Sequence, residues 1–316
     1  MIVRKMAWAL VAATLLTSLL GAPARAAVSH RVWHWNVAGN TMHKGSTTDG
    51  LIPAAVSSIT GARAVFASVN ELCQQQFDAL IQRLRTAGWP EDPANFARFE
   101  ATIPGRAGGP CQGKAYGIGL FSKKPLGAAD RITLPYDGNE PRKLLCAPLR
   151  EQKRLRFCTT HSTFVDAFRL PQLTAIFERM DAYRAAGDQV IVAGDFNAAP
   201  NFERMNRFYS SQVNTPNNDG NTGHFREVDD ADAAACPGYG EGTLQKADGG
   251  GPCRTGTKID MIFTHDGDYV AASSSGDARP SPTTCAGNAC SDHRILTGTV
   301  TLRPLEEGAV ARAGNG

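Results

Sequence analysis

Nowhere in the 316 residues is there a Cys-x-x-Cys pair, an internal repeat or a stretch that reads as an interdomain linker. The missing thiolate pairs weaken a zinc reading of the eight cysteines, and the missing linker argues against two domains. Tryptophan is scarce, with Trp8, Trp33, Trp35 and Trp89 as the full set, and no paired-aromatic hairpin of the kind that enters a membrane surface stands out. No apolar run reaches the roughly 18–20 residues of a spanning helix. The nearest approach, Met6–Leu20, follows Arg4 and Lys5 and precedes the small-residue site Ala24-Arg25-Ala26, which reads as an export signal cleaved after Ala26. Charge of one sign is lacking too. The formal net charge is +3, and a leader over residues 1–26 removes Arg4, Lys5 and Arg25, leaving a neutral mature chain. Any electrostatic footprint must therefore be local.

An even number of cysteines behind an export signal points to disulfides in a secreted protein without a membrane anchor. Pairing of sequence neighbours is the simplest arrangement, although sequence alone does not prove connectivity: Cys73 with Cys111, Cys146 with Cys158, Cys236 with Cys253, and Cys285 with Cys290. Cys146 and Cys158 lie symmetrically about a turn near Glu151-Gln152-Lys153, as a cross-strand bridge would.

Apolar spacing predicts a helix over Cys73–Gly88, through Phe77, Leu80, Ile81 and Leu84. A second carries Leu173, Ile176, Phe177, Met180 and Tyr183, with Pro171 near its start and Gly187 at its end. Strands are expected over Val32–Val37, Ala64–Val69, Gly117–Ser122, Lys143–Leu149, Leu155–His161, Gln189–Ala193, Lys258–Thr264 and Arg294–Leu302. The uninterrupted Val190–Ala193 suits a strand covered on both faces, whereas Lys143–His161 reads as an antiparallel hairpin. Mixed pairing with interspersed helices makes this an α/β layered protein. One domain over residues 27–305 follows, with residues 306–316 as a disordered tail.

Polar residues gather at the ends of those strands. Asn36 ends the first, Glu71 follows the second, His161 ends the hairpin, and Asp195 and Asn197 follow the buried strand. Asp260 sits in Lys258-Ile259-Asp260, and Asp292-His293 precedes the last strand. Each has a structural reading. Gly194-Asp195-Phe196-Asn197 is ordinary turn chemistry, Glu71 a helix-N-terminal acid, His161 a strand-end histidine and Asp292-His293 a loop pair. Asp260 is harder to dismiss, because an unpaired carboxylate in an apolar strand is costly. Together they suit phosphoester hydrolysis, which needs a bound phosphate, an activated water and support for charge on the leaving oxygen. Glu71, with Asn36 or Asp292, is a hard-cation site of the Mg²⁺ kind.

The series Trp35-Asn36, Asn70-Glu71, Tyr116–Lys123, Thr160-His161-Ser162, Gly194–Asn197, Lys258–Asp260 and Ser291–His293 resembles the endonuclease/exonuclease/phosphatase superfamily, which includes pancreatic-type deoxyribonuclease. The likeness runs from about Trp33 to Val300. It implies a four-layer sandwich of two mixed β-sheets flanked by helices, with the site at one edge. It also implies Asn36, Glu71 and Asp292 as metal residues, with Mg²⁺ the expected ion and Mn²⁺ or Ca²⁺ as alternatives. Tyr116 and Arg142 would lie on the phosphate side and His161 would support the phosphate or leaving group. Asp195 and Asn197 would position the water, and Asp260 would pair with His293. Whether Asp195 or His293 takes the water's proton stays open.

The superfamily cuts DNA, RNA, phospholipid and soluble phosphates, so substrate is argued by elimination. Inositol-phosphatase members carry an arginine after the Gly-Asp-x-Asn motif, where this chain has Ala198-Ala199-Pro200. Arg142, Lys143, Arg150, Lys153, Arg154 and Arg156 along one hairpin offer a phosphate track, or equally a charged edge that resists aggregation. The reading is a secreted, monomeric, non-specific DNA endonuclease. Alternatives are a sphingomyelinase-like phosphodiesterase and a secreted module that only binds phosphate.

Overall fold

The computed structural model describes residues 26–90, 92–230, 236–245 and 257–305. Residues 1–25 of the expected leader, the tail 306–316 and Cys253 lie outside the described residues.

Among the described residues twelve strands run in chain order: β1 (Val28–Asn36), β2 (Phe66–Cys73), β3 (Ala97–Ile103), β4 (Tyr116–Ser122), β5 (Asp130–Thr133), β6 (Lys143–Pro148), β7 (Leu155–His161), β8 (Gln189–Asp195), β9 (Phe225–Glu227), β10 (Asp260–His265), β11 (Ser275–Arg279) and β12 (Ile295–Leu302). They form two six-stranded sheets, ordered β11-β12-β1-β2-β4-β3 and β5-β6-β7-β8-β10-β9. Both are mixed, since β1 runs parallel to β2 and β7 parallel to β8 while the other pairs are antiparallel. The helices are α1 (Leu51–Gly61), α2 (Gln74–Thr86), the single turn α3 (Pro93–Phe96) and α4 (Asp166–Ala185). Among the described residues no helix is long and apolar enough to cross a membrane.

The sheets face each other through Val32, Phe66, Leu120, Phe157, Ile191 and Ile262. Phe66 stacks on Phe157 with ring centroids 4.7 Å apart. Trp33, Trp35, Ile59 and Leu80 join the outer face of the first sheet to α1 and α2. Phe177 does the same for α4 on the second, against Val192, Phe196 and Phe263. Full burial of each such side chain contributes about 1.5–3 kcal/mol, so the expected four-layer sandwich is held by one core between the sheets and one under the helices on each outer face.

Strand alternation then places the chemistry. In β1, Trp33 and Trp35 point outward to the helices, so His34 and Asn36 must point between the sheets. A one-residue slip would bury polar groups under α1 and expose both tryptophans to the polar interior.

Several expectations need correction. The strand Ala64–Val69 extends to Cys73, and Glu71 lies inside it rather than after it. The ladder from β2 to β4 shifts register between Val69 and Leu72, and Glu71 takes φ +56°. A bulge re-aims a side chain in this way, and the strained backbone marks a position held by its surroundings. Helix α4 begins at Asp166, so Pro171 lies inside it. Helix α1 and strands β3, β5, β9 and β11 gave no usable pattern, the last because an exposed Ser-Gly-Asp-Ala-Arg edge has little to alternate.

The basic hairpin is also divided by its register. Lys143 pairs with His161 and Pro148 with Arg156, so Arg150, Lys153 and Arg154 sit around the opposite turn, roughly 17 Å or more along the strands. Arg156 is occupied by Asp130 at 3.0 Å and by Asp188. Only Arg142 and Lys143 remain beside His161. Three expected disulfides are present, Cys73–Cys111, Cys146–Cys158 and Cys285–Cys290.

Candidate active site

The C-terminal ends of the parallel pairs β1–β2 and β7–β8 open on one rim, where β10 begins and the chain enters β12. Each contributes a polar group on a rigid support. Asp195, at the end of β8, lies opposite Asp260, the first residue of β10.

Asp195 is the centre of the arrangement. Its Oδ1 accepts from Asn197 N at 2.9 Å, and its own N donates to Asn70 Oδ1 at 2.9 Å. Its Oδ2 has three nitrogens around it: Asn36 Nδ2 at 3.2 Å, His161 Nε2 at 3.5 Å and His293 Nε2 at 3.8 Å. Asn197 holds φ +48° and donates through Nδ2 to Ser162 O at 3.0 Å, fixing the Gly-Asp-Phe-Asn turn against the His161 strand.

The two histidines are set to different states. Arg142 Nη1 donates to His161 Nδ1 at 2.8 Å, so the imidazole proton sits on Nε2, towards Asp195. Burial, then the Arg142 and His293 charges, keep His161 well below the ordinary histidine range and therefore neutral. Burial acts against His293 as well, but Asp260, bonded to its Nδ1 at 2.8 Å, overrides it and raises the imidazole to about 10. Burial works against ionisation of Asp260, yet His293 and His34 hold its carboxyl well below the usual range. Asp195 is pushed up to about 7 by burial and by the Asp260 charge.

Glu71 forms the other half of the rim. Asn36 Nδ2 donates to Glu71 Oε1 at 2.9 Å, and the same carboxylate acts electrostatically on the Tyr116 phenol. Burial, with Glu71 and Glu140 nearby, raises that phenol well above its usual value. Glu71 accepts from the neutral Asn36 amide, and among the described residues no Lys, Arg or His forms an ion pair with it. A carboxylate without a counter-charge fits a hard divalent cation, which takes oxygen ligands. Asp292 is exposed beside His293; the Ser291 hydroxyl lies 3.5 Å from its Oδ1 and donates to Asn36 O at 2.6 Å.

Asn36, Glu71, Tyr116, His161, Asp195, Asn197, Asp260 and His293 are thus brought together, with Asp292 at the border. Arg142 is buried between Glu140 Oε2, at 3.4 Å, and His161, whose ring it orients. Sequence reasoning missed His34, which bridges Asp260 Oδ1 at 2.9 Å and Ser68 Oγ at 2.9 Å. It also missed Ser291, whose hydroxyl receives His293 N at 3.0 Å. The signal for His34 was its parity with Asn36 in a buried strand.

Two loops beside His161 and Arg142 carry exposed aromatics, Tyr136 (57% exposed) and Phe164 (59%). Thr163 bonds to Asp137, while Gln172 spans Thr163 N at 2.8 Å and Pro135 O at 2.7 Å, so the loops are tied together. The sequence has no aromatic hairpin; the fold brings the two residues to one side of the rim from separate loops.

A two-sheet α/β sandwich with paired carboxylates and histidines at one edge defines a phosphoester hydrolase architecture. Residues 34–293 match the model of the Endonuclease/Exonuclease/phosphatase family, and the chain belongs to that family. No curated protein matches the sequence. Among solved structures, an endonuclease/exonuclease/phosphatase from Beutenbergia cavernae is similar at 18% identity and TM-score 0.58, over 88% of this chain and 72% of that one. The human Nocturnin catalytic domain with bound sulfate matches at 17% and 0.59, over 87% and 93%. TDP2 from D. rerio, complexed with a single-strand DNA product, matches at 17% and 0.56, over 86% and 98%. At these identities the likeness establishes the fold.

Proposed function

We propose that this chain is a secreted, divalent-metal-dependent phosphodiesterase acting as a non-specific DNA endonuclease. The observation that carries this reading is the convergence of Asn36, His161 and His293 nitrogens on Asp195 Oδ2. Donors held around a buried proton acceptor suit a phosphoryl group whose oxygens gain charge. Asp195 takes the water's proton, since its carboxyl, pushed up to about 7, is matched to the task near neutral pH. His293, held protonated by Asp260, donates to a phosphoryl oxygen, and neutral His161 donates through Nε2 to the leaving side. Glu71 and Asn36, with Asp292, would hold an ion of the Mg²⁺ class, which when bound supplies charge neutralisation on the phosphate. The expected export leader and the three disulfides support secretion.

The test is nicking of supercoiled plasmid by the oxidised mature protein in Mg²⁺, with EDTA and Glu71→Gln as controls. Nicking abolished by both ties the activity to this rim; no nicking with Mg²⁺, Mn²⁺ or Ca²⁺ sinks the endonuclease reading. With the far basic turn separated from the rim, Tyr136 and Phe164 become the substrate contacts, stacking on bases at about 1–3 kcal/mol each. Tyr136→Ala with Phe164→Ala is expected to raise KM for DNA by about tenfold or more, with hydrolysis of a small phosphodiester unchanged. The same exposed pair favours a phospholipid phosphodiesterase as second reading; turnover on sphingomyelin liposomes, without plasmid nicking, would select it.

A further inference from the structure

A second cluster of metal-type donors lies at the far end of β10. Asp260 begins that strand at the catalytic rim and His265 ends it, roughly 17 Å away at strand rise. His265 meets His224, which immediately precedes β9, and Asp181 on α4. One ligand atom from each of the three lies within 4.8 Å of the others. His224 Nε2 stands 2.8 Å from Asp181 Oδ1, and the two imidazole rings are 4.9 Å apart at 39°. We propose that Asp181, His224 and His265 form a Zn²⁺ site that clamps α4 to the β9–β10 edge of the second sheet.

The geometry and the chemistry of the donors agree. Donors around a tetrahedral Zn²⁺ stand about 3.3 Å apart at the usual bond lengths, so small side-chain rotations close the set. Two imidazoles and one carboxylate suit a borderline transition ion rather than Mg²⁺ or Ca²⁺, which take oxygen ligands. This sets the cluster apart from the carboxylate site at Glu71. His224 and Asp181 are 47% and 42% exposed, leaving the remaining coordination open to water.

The supports are already built. Asp266 N donates to His224 O at 2.9 Å, joining the two histidine-bearing segments. Asp266 Oδ1 lies 3.3 Å from His265 Nδ1, and Asp266 Oδ2 accepts from Ser210 Oγ at 2.8 Å. In this structure Gly267 N donates to His265 Nδ1 at 3.0 Å. Ligation through Nε2 moves the imidazole proton to Nδ1, which releases the Gly267 N–H bond and donates to Asp266 instead, as carboxylates accept behind metal-bound histidines.

The site does not depend on the hydrolase reading. It is tested by calorimetric titration of ZnCl₂ into the full mature chain carrying Glu71→Gln and His293→Gln, which removes a donor from each of the cation-type groups at the catalytic rim. The expected result is one equivalent of Zn²⁺ bound, a raised thermal midpoint and no competition from excess Mg²⁺. His224→Gln and Asp181→Asn should each weaken binding at least about tenfold, with metal-free midpoints unchanged because both side chains are half-exposed. Absence of Zn²⁺ binding, or binding unaltered in both variants, overturns the proposal.

Discussion

His293→Ala is expected to lower phosphodiester turnover by about 100- to 10,000-fold, the range for loss of a positioned acid or base, with KM nearly unchanged. Its Nδ1 is held by Asp260 and its Nε2 faces Asp195. The alanine variant therefore removes a charged donor while leaving the fold's main cores untouched. It also strands the Asp260 carboxylate, which is fully buried and keeps only His34. A stability loss could imitate a catalytic one, so the informative comparison is the double variant His293→Ala with Asp260→Asn. Removing the stranded charge should recover most of the thermal midpoint and none of the turnover. Single-turnover kinetics and thermal melts on the three proteins decide the matter. Turnover within about threefold of the parent in His293→Ala would remove His293 from the mechanism.

Lys258→Met should produce the largest loss of stability, about 3–5 kcal/mol, as expected when one partner of a buried ionic group is deleted. The Lys258 side chain is fully buried with Glu227 at 3.1 Å and with Asp229. Burial acts against its charge, but these carboxylates raise it far above its usual range. Glu227 in turn accepts from Ile262 N at 2.9 Å and Asp229 N at 3.1 Å, so the lysine anchors both β10 and the turn after β9. Against a typical domain stability of roughly 5–15 kcal/mol, the variant should melt early or fail to accumulate; urea denaturation measures it.

The same cluster sets a pH dependence. Asp230 is buried beside Glu227, and that burial and the Glu227 charge raise its carboxyl well above the usual range. Burial and Asp229 push Glu241 up to about 8. Both native-state values are raised, so the native chain holds protons that the unfolded chain releases. Their stabilising effect is complete below the ordinary carboxylate range and is lost as pH rises through about 8. Thermal midpoints measured across that window should fall in the parent and fall less in Asp230→Asn.

Much of the site could be read from single strands. Asn36, His161, Asp195, Asp260 and His293 stand at or beside strand ends, and the apolar runs that place them are short-range patterns. His34 could not be weighed from its own surroundings, because Trp33 and Trp35 make it look like part of an apolar strand. Its partners, Ser68 and Asp260, are 34 and 226 residues away in the chain. The bulge at Glu71 was hidden for a similar reason, since register is a property of two strands and β2 alone does not show where β4 slips.

What the sequence by itself determined is the layering and the identity of the rim. Period-two and helical apolar spacing decide which faces are buried, and a buried face in turn decides which polar residues must face each other. The tertiary structure alone decided how those residues act. It set neutral His161 against charged His293 through Arg142 and Asp260, and it drew Tyr136 and Phe164 to one side of the rim. It also moved most of the basic hairpin away, because β-ladder register fixes distance along a strand. Charge state and reach depend on neighbours in space, and adjacency in the chain carries little of that information.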